Sequence, residues 1–154
     1  MRRCRFVRNK STIIFSVLVL GFSFYMKLSP AKFNNFTDIM SATLSFSSLA
    51  TALFFSYFSL IPAFSNSKFI IALQELGTDK KIMDRLLLST IIFFISSILS
   101  FGQLFFSECT NNMFSIITTA VWLSFTLSGF FNTFLILAIV LKAFEHYANT
   151  EEND

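Results

Sequence analysis

Glu145 and His146 stand side by side near the end of the chain, and an adjacent carboxylate and imidazole are the raw material of acid–base chemistry. His146 is the only histidine, so neither a Ser-His-Asp arrangement nor a histidine-based zinc site can be assembled within one chain. The two cysteines, Cys4 and Cys109, lie in distant segments and offer no thiolate metal site together. The four glycines, Gly21, Gly77, Gly102 and Gly129, form no phosphate-cradling loop. The 145–146 pair therefore reads as a solvated helix end. The chain is expected not to be an enzyme, and to hold no cofactor and no metal.

The polar residues that recur at helical spacing are a different matter. Ser41, Ser45, Ser48, Ala52, Ser56 and Ser59 follow one another at gaps of three or four, which puts them on one helical face. The opposite face carries Leu44, Leu49, Phe54, Phe55 and Phe58. Ala120, Ser124, Ser128 and Asn132 repeat every fourth residue with Gly129 alongside, and Ser96, Ser100 and Gln103 form a shorter stripe. Two readings stand. The stripes are the packing seams of a helix bundle, where small and hydroxylated residues let helices approach and bond, or they line a hydrated pathway. Asn132 is the deepest strongly polar side chain. Its amide needs a partner on another helix or on another copy of the chain. Gln103 is expected near the end of its helix and wet.

These stripes lie on apolar runs that dominate the composition. Of 154 residues 54% are hydrophobic and only 14% charged, with 23 phenylalanines, and the mean hydropathy is +0.65. A water-facing surface would need more charge than this. Phe, Ile, Asn and Lys rise together, as an AT-rich coding sequence would make them. Four runs approach the roughly 20 apolar residues that a membrane-crossing helix needs, over about 11–29, 39–64, 86–106 and 113–141. The expectation is an all-α integral membrane protein: a single domain over 1–154 with four transmembrane helices in a bundle.

Charge placement orients it. Arg2, Arg3, Arg5, Arg8 and Lys10 precede the first run, and such a run reads as a topogenic signal rather than as a nucleic-acid site. Lys68, Lys80, Lys81 and Arg85 lie between the second and third runs and Lys142 follows the fourth, whereas Lys27 and Lys32 alone lie in the intervening loops. The positive-inside rule then puts both ends in the cytoplasm, with a cytoplasmic loop over 65–85 and a cytoplasmic tail over 142–154. Cys4 and Cys109 fall on opposite sides of the membrane and cannot pair. The first run also fits a signal peptide, with Ser29-Pro30-Ala31 as the small residues a peptidase would read; an uncleaved span is the preferred expectation.

Within the loop, Phe69, Ile70, Leu73 and Leu76 have helical spacing, Gly77 is placed to end that helix, and Thr78 or Asp79 to cap the next. A short amphipathic helix on the inner membrane surface is expected. It is either a plain hairpin connection or a docking platform for a cytoplasmic protein, presenting Lys68, Glu75, Asp79, Lys80, Lys81, Asp84 and Arg85.

The layout resembles the small four-span membrane proteins of bacterial phage-defence systems, such as the Rex B protein and the membrane subunit of Kiwa-type systems. Ala42-Thr43-Leu44-Ser45 opening the second run and Leu104-Phe105-Phe106 closing the third carry the likeness to Rex B. The Kiwa likeness lies in span count and orientation. The resemblance implies an oligomeric sensor or anchor of the bacterial inner membrane that recruits a cytoplasmic effector. It transfers no functional residue. The polar stripes motivate an alternative, an ion-conducting or holin-like pore, and an immunity protein is a further one. Expected partners are the lipid bilayer, further copies of the chain and a cytoplasmic protein, with no direct nucleic acid binding.

Overall fold

The computed structural model describes residues 9–63, 79–106 and 112–151. These form four helices, α1 Lys10–Tyr25, α2 Phe36–Ala63, α3 Asp79–Gln103 and α4 Met113–Glu151, with one 3-10 turn at Pro30–Lys32 and no strand among the described residues. The amphipathic helix expected around 69–76, with Lys68 and Glu75, lies outside the described residues, as do Cys4 and Cys109.

Three of the helices contain stretches long and apolar enough to cross a membrane: Phe36–Leu60, Lys81–Gln103 and Met113–Lys142. At 1.5 Å per residue, the 16 residues of α1 reach about 24 Å, short of a hydrocarbon core of about 30 Å. Burial supports the same environment. Among the described residues, seventeen buried side chains are polar and ten hydrophobic, while Val17, Leu18, Phe22, Phe55 and Phe134 stand exposed. Such an inverted pattern suits a molecule whose solvent is lipid, where apolar rings face outward at no cost and polar groups must find partners inside.

Local signals explain the helix ends. At the end of α1, Leu28 N–H bonds the Ser23 carbonyl and Lys27 N–H bonds the Phe24 carbonyl, and Lys27 has φ 48°. This is a Schellman closure with lysine in the left-handed position usually given to glycine. The Lys32 ammonium donates to the Met26 carbonyl and satisfies another helix-end acceptor. Asn35, with φ 55°, opens α2 through its carbonyl, which accepts from Asp38 and Ile39 N–H; Asp38 in the first turn complements the helix dipole. Ser115 braces the start of α4 by accepting Asn112 N–H and donating to the Asn112 carbonyl.

The main contacts run α2 to α3, α3 to α4 and α4 to α1, each pair antiparallel. In order of backbone approach the helices form a row, α2–α3–α4–α1, and side chains of α2 also reach α4, where Phe46 stacks on Phe130 with ring centroids 4.9 Å apart. Ile82, Leu86 and Ile136 pack with Phe54 and Phe58 at one end, and Phe36, Met40 and Trp122 with Leu99 and Leu123 at the other. Between them Phe93, 1% exposed, stacks on Phe54 with ring centroids 5.8 Å apart and meets Phe46 and Phe130 at 5.8 and 6.1 Å. Its ring lies against Gly129, where a Cβ would come within 2.7 Å of Phe93 Cε1.

The third helix starts at Asp79, where a cap was expected, so Asp79 to Arg85, placed before the third span, already form its first turns. Helix α4 continues through the stretch expected as a tail, to Glu151.

Two substitutions test this packing. Gly129→Ala is expected to lower stability by about 1–3 kcal/mol through overpacking against Phe93, read as a lower midpoint of thermal unfolding in detergent. Lys27→Gly is expected to raise stability by about 1 kcal/mol by removing the left-handed strain; a midpoint that falls would contradict the assigned closure.

Candidate functional site

The α3 stripe begins earlier than Ser96. Stepping back along the same face reaches Ser89 and then Arg85, four residues before it, and both are buried. Arg85 lies one turn inside the apolar stretch of α3 and is 5% exposed. A guanidinium at that depth needs protein acceptors because water is not at hand.

Asn132 of α4 supplies one. Arg85 Nη1 donates to Asn132 Oδ1 at 2.9 Å. Thr12 of α1 donates to the same oxygen at 3.2 Å. On the other side of the amide, Asn132 Nδ2 donates to the Arg85 carbonyl at 3.0 Å and to Ser89 Oγ at 2.7 Å. All four hydrogen-bonding positions of the amide are filled, and its orientation follows from Arg85, which only donates. Asn132 is 0% exposed. It is the partner-seeking side chain that the sequence points to, and its partners come from two other helices of the same chain. Arg85 Nε has no partner.

Further along the row, hydroxyls close the remaining seams. Ser47 donates to Ser96 at 3.3 Å, Ser96 lies 2.8 Å from Thr126, and Thr126 donates to the Trp122 carbonyl at 2.9 Å. Because Thr126 spends its proton on Trp122, Ser96 is the donor to Thr126, and the relay crosses α2, α3 and α4 in one direction. Trp122 Nε1 donates to Ser100 Oγ at 2.8 Å. Ser124 donates to the Ser16 carbonyl at 2.8 Å, with the two hydroxyls 2.9 Å apart, and Phe15 stacks on Phe131 at 4.5 Å beside them.

Of the residues singled out from sequence, Ser96, Ser100, Gln103, Ser124, Ser128 and Asn132 are all buried. Gln103, expected wet, is 1% exposed. The α2 stripe takes no part in these seams: Ser41, Ser45, Ser48, Ala52, Ser56 and Ser59 are all exposed on the outward face, as are Leu49 and Phe55, expected opposite them, and α2 meets α3 through Ser47 and Phe54. Ser45 and Ser59 return their hydroxyl protons to the carbonyls of Ser41 and Phe55, which lets a serine face an apolar surrounding without an interhelical partner.

Among the expected partner-binding residues, Lys81 is exposed and Asp84 half-buried, and Asp79 and Lys80 form the first turn of α3. Arg85, expected among the docking residues, is buried, and its guanidinium is bonded to Asn132 of α4. Sequence reasoning read Arg85 as a docking residue and passed over Ser89, Thr12, Ser16, Ser47 and Thr126; extending the α3 stripe backward at its own spacing reaches Ser89 and Arg85.

The fold and this interior define a helical membrane protein held together by buried polar pairs. The chain matches no family model, no curated protein and no solved structure.

A double-mutant cycle measures the central pair. Asn132→Leu is expected to cost about 3–5 kcal/mol because it strands the Arg85 charge in the interior. Arg85→Met combined with Asn132→Leu is expected to cost clearly less than the two single changes added, since both polar partners then leave together. Additive costs in detergent unfolding would show that the pair does not couple.

Proposed function

We propose that the chain is a four-span anchor of the bacterial inner membrane, with both ends in the cytoplasm, that assembles with further copies and recruits a cytoplasmic effector. The observation that carries this reading is the end of the row where α3 begins and α4 finishes. There α4 continues helically from Lys142 to Glu151 beyond its apolar stretch, about 14 Å at 1.5 Å per residue. Exposed Glu145 and Lys142 on α4 stand at the same end as exposed Lys81 on α3. Two rigid, mixed-charge helix ends give a partner a fixed surface, which a flexible tail would not.

Self-assembly draws support from the row itself. The α2 edge is the least covered of the three long spans, and its outward serines and Ala52 leave little bulk between it and a neighbouring helix. The phage-defence setting rests on the sequence resemblance to the Rex B and Kiwa proteins alone, with the short apolar helix α1 taken as a fourth span. The pore alternative receives less support, because the hydroxyls that would wet a channel bond one another across closed seams.

Two measurements separate the readings. Cells expressing the chain alone are expected to keep their membrane potential, as read by a voltage-sensitive dye; rapid depolarisation would favour the pore. Charge reversal at Lys80, Lys81 and Lys142 is expected to release at least tenfold of a stoichiometric partner co-purified from native membranes, with insertion intact. Retention of that partner by the reversed protein would remove the docking assignment.

A further inference from the structure

Gln103 and Thr119 carry polar atoms that nothing in the described structure satisfies. Both side chains are buried, at 1% and 0% exposure. The Gln103 amide nitrogen and oxygen and the Thr119 hydroxyl have no hydrogen-bond partner. In an apolar interior such groups lose their hydration with nothing in return, which helix seams rarely tolerate.

The register of α3 against α4 brings the two together. Ser96 meets Thr126, and Ser100 meets Trp122 about one turn further on. Another three residues along α3 reach Gln103, and another three back along α4 reach Thr119. The two antiparallel helices therefore place these side chains at one level of the seam. The hydroxyls nearest in sequence are already engaged. Ser100 accepts from Trp122, and Ser115 is closed on Asn112. Leu99, Leu104, Leu123 and Trp122 pack with Phe36 and Met40 in the adjoining apolar cluster.

The unmet groups are an amide that both donates and accepts and a hydroxyl that does the same, and all are uncharged. Their complement is a small neutral molecule that donates and accepts at once. A buried water typically makes about three hydrogen bonds, matching the amide nitrogen, amide oxygen and hydroxyl left open. The geometry points to a buried hydration site between Gln103 and Thr119, in which ordered water joins α3 to α4 at the level beyond Trp122. This site is independent of the anchor reading and stands or falls without it.

The test uses the full chain in detergent micelles with 15N-labelled glutamine side chains. There are two glutamines, Gln74 and Gln103, and Gln103→Met identifies the second resonance by its loss. The Gln103 amide protons are expected to show a cross-peak at the water frequency with the sign of a residence time longer than nanoseconds. The peak is expected to survive in Thr119→Val, which removes exchange relayed through the Thr119 hydroxyl. Absence of the water peak overturns the site, and so does its disappearance in Thr119→Val, which would mark direct Gln103–Thr119 pairing. A stability measurement adds a second arm. The double variant Gln103→Met/Thr119→Val removes the three unmet atoms of this site and is expected to melt no lower than the parent. A large drop would mean that Gln103 holds a protein partner, against the proposal.

Discussion

A side-chain amide in an apolar surrounding must find its partners inside the molecule, and the structure depends on how the Asn132 amide is satisfied. Its oxygen takes protons from Arg85 and Thr12, and its nitrogen gives protons to Ser89 and to the Arg85 backbone. One residue of α4 thereby fixes the rotation and depth of both α1 and α3. Lipid offers helices no hydrophobic reason to associate with each other rather than with acyl chains. Directional bonds of this kind supply the missing specificity.

The same logic, in weaker form, sets the rest of the row. The Ser47–Ser96–Thr126 relay joins α2 to α3 and α3 to α4 through hydroxyls. Close packing then follows the polar register. Gly129 lets the Phe93 ring lie against the α4 backbone, and Phe93 in turn gathers Phe46, Phe54 and Phe130. Phenylalanine plays two parts here. A few rings lock the middle of the row, while others such as Phe22, Phe55 and Phe134 face outward, where lipid accepts them without cost.

Arg85 joins the interior to the proposed working end. Its helix starts at Asp79, so the basic residues Lys80 and Lys81 lie on the same rigid rod as a guanidinium bonded to α4. A partner that engages the start of α3 pulls on an element already coupled to α4 and, through Thr12, to α1. The charge counted with the loop in a topology argument is thus a structural charge in the fold, and it gives the anchor reading a mechanical route from surface to interior.

The sequence by itself determined that the chain is helical and apolar and that polar side chains recur on one face of its helices, because composition and the 3.6-residue period are local properties. It also singled out Asn132 as needing a partner, because an amide in an apolar run carries that demand wherever it goes. The choice among faces was tertiary. On α2, Ser45 and Ser47 are two residues apart and point to nearly opposite sides, so hydroxyls offered two stripes and only the match to Ser96 selected one. The outward serines remained tolerable because their own helix carbonyls accept their protons. Tertiary structure likewise decided that Arg85 turns inward, since its acceptor lies on a helix 47 residues away. Hydrogen bonds between helices are long-range pairings, and no local pattern carries the identity of the partner.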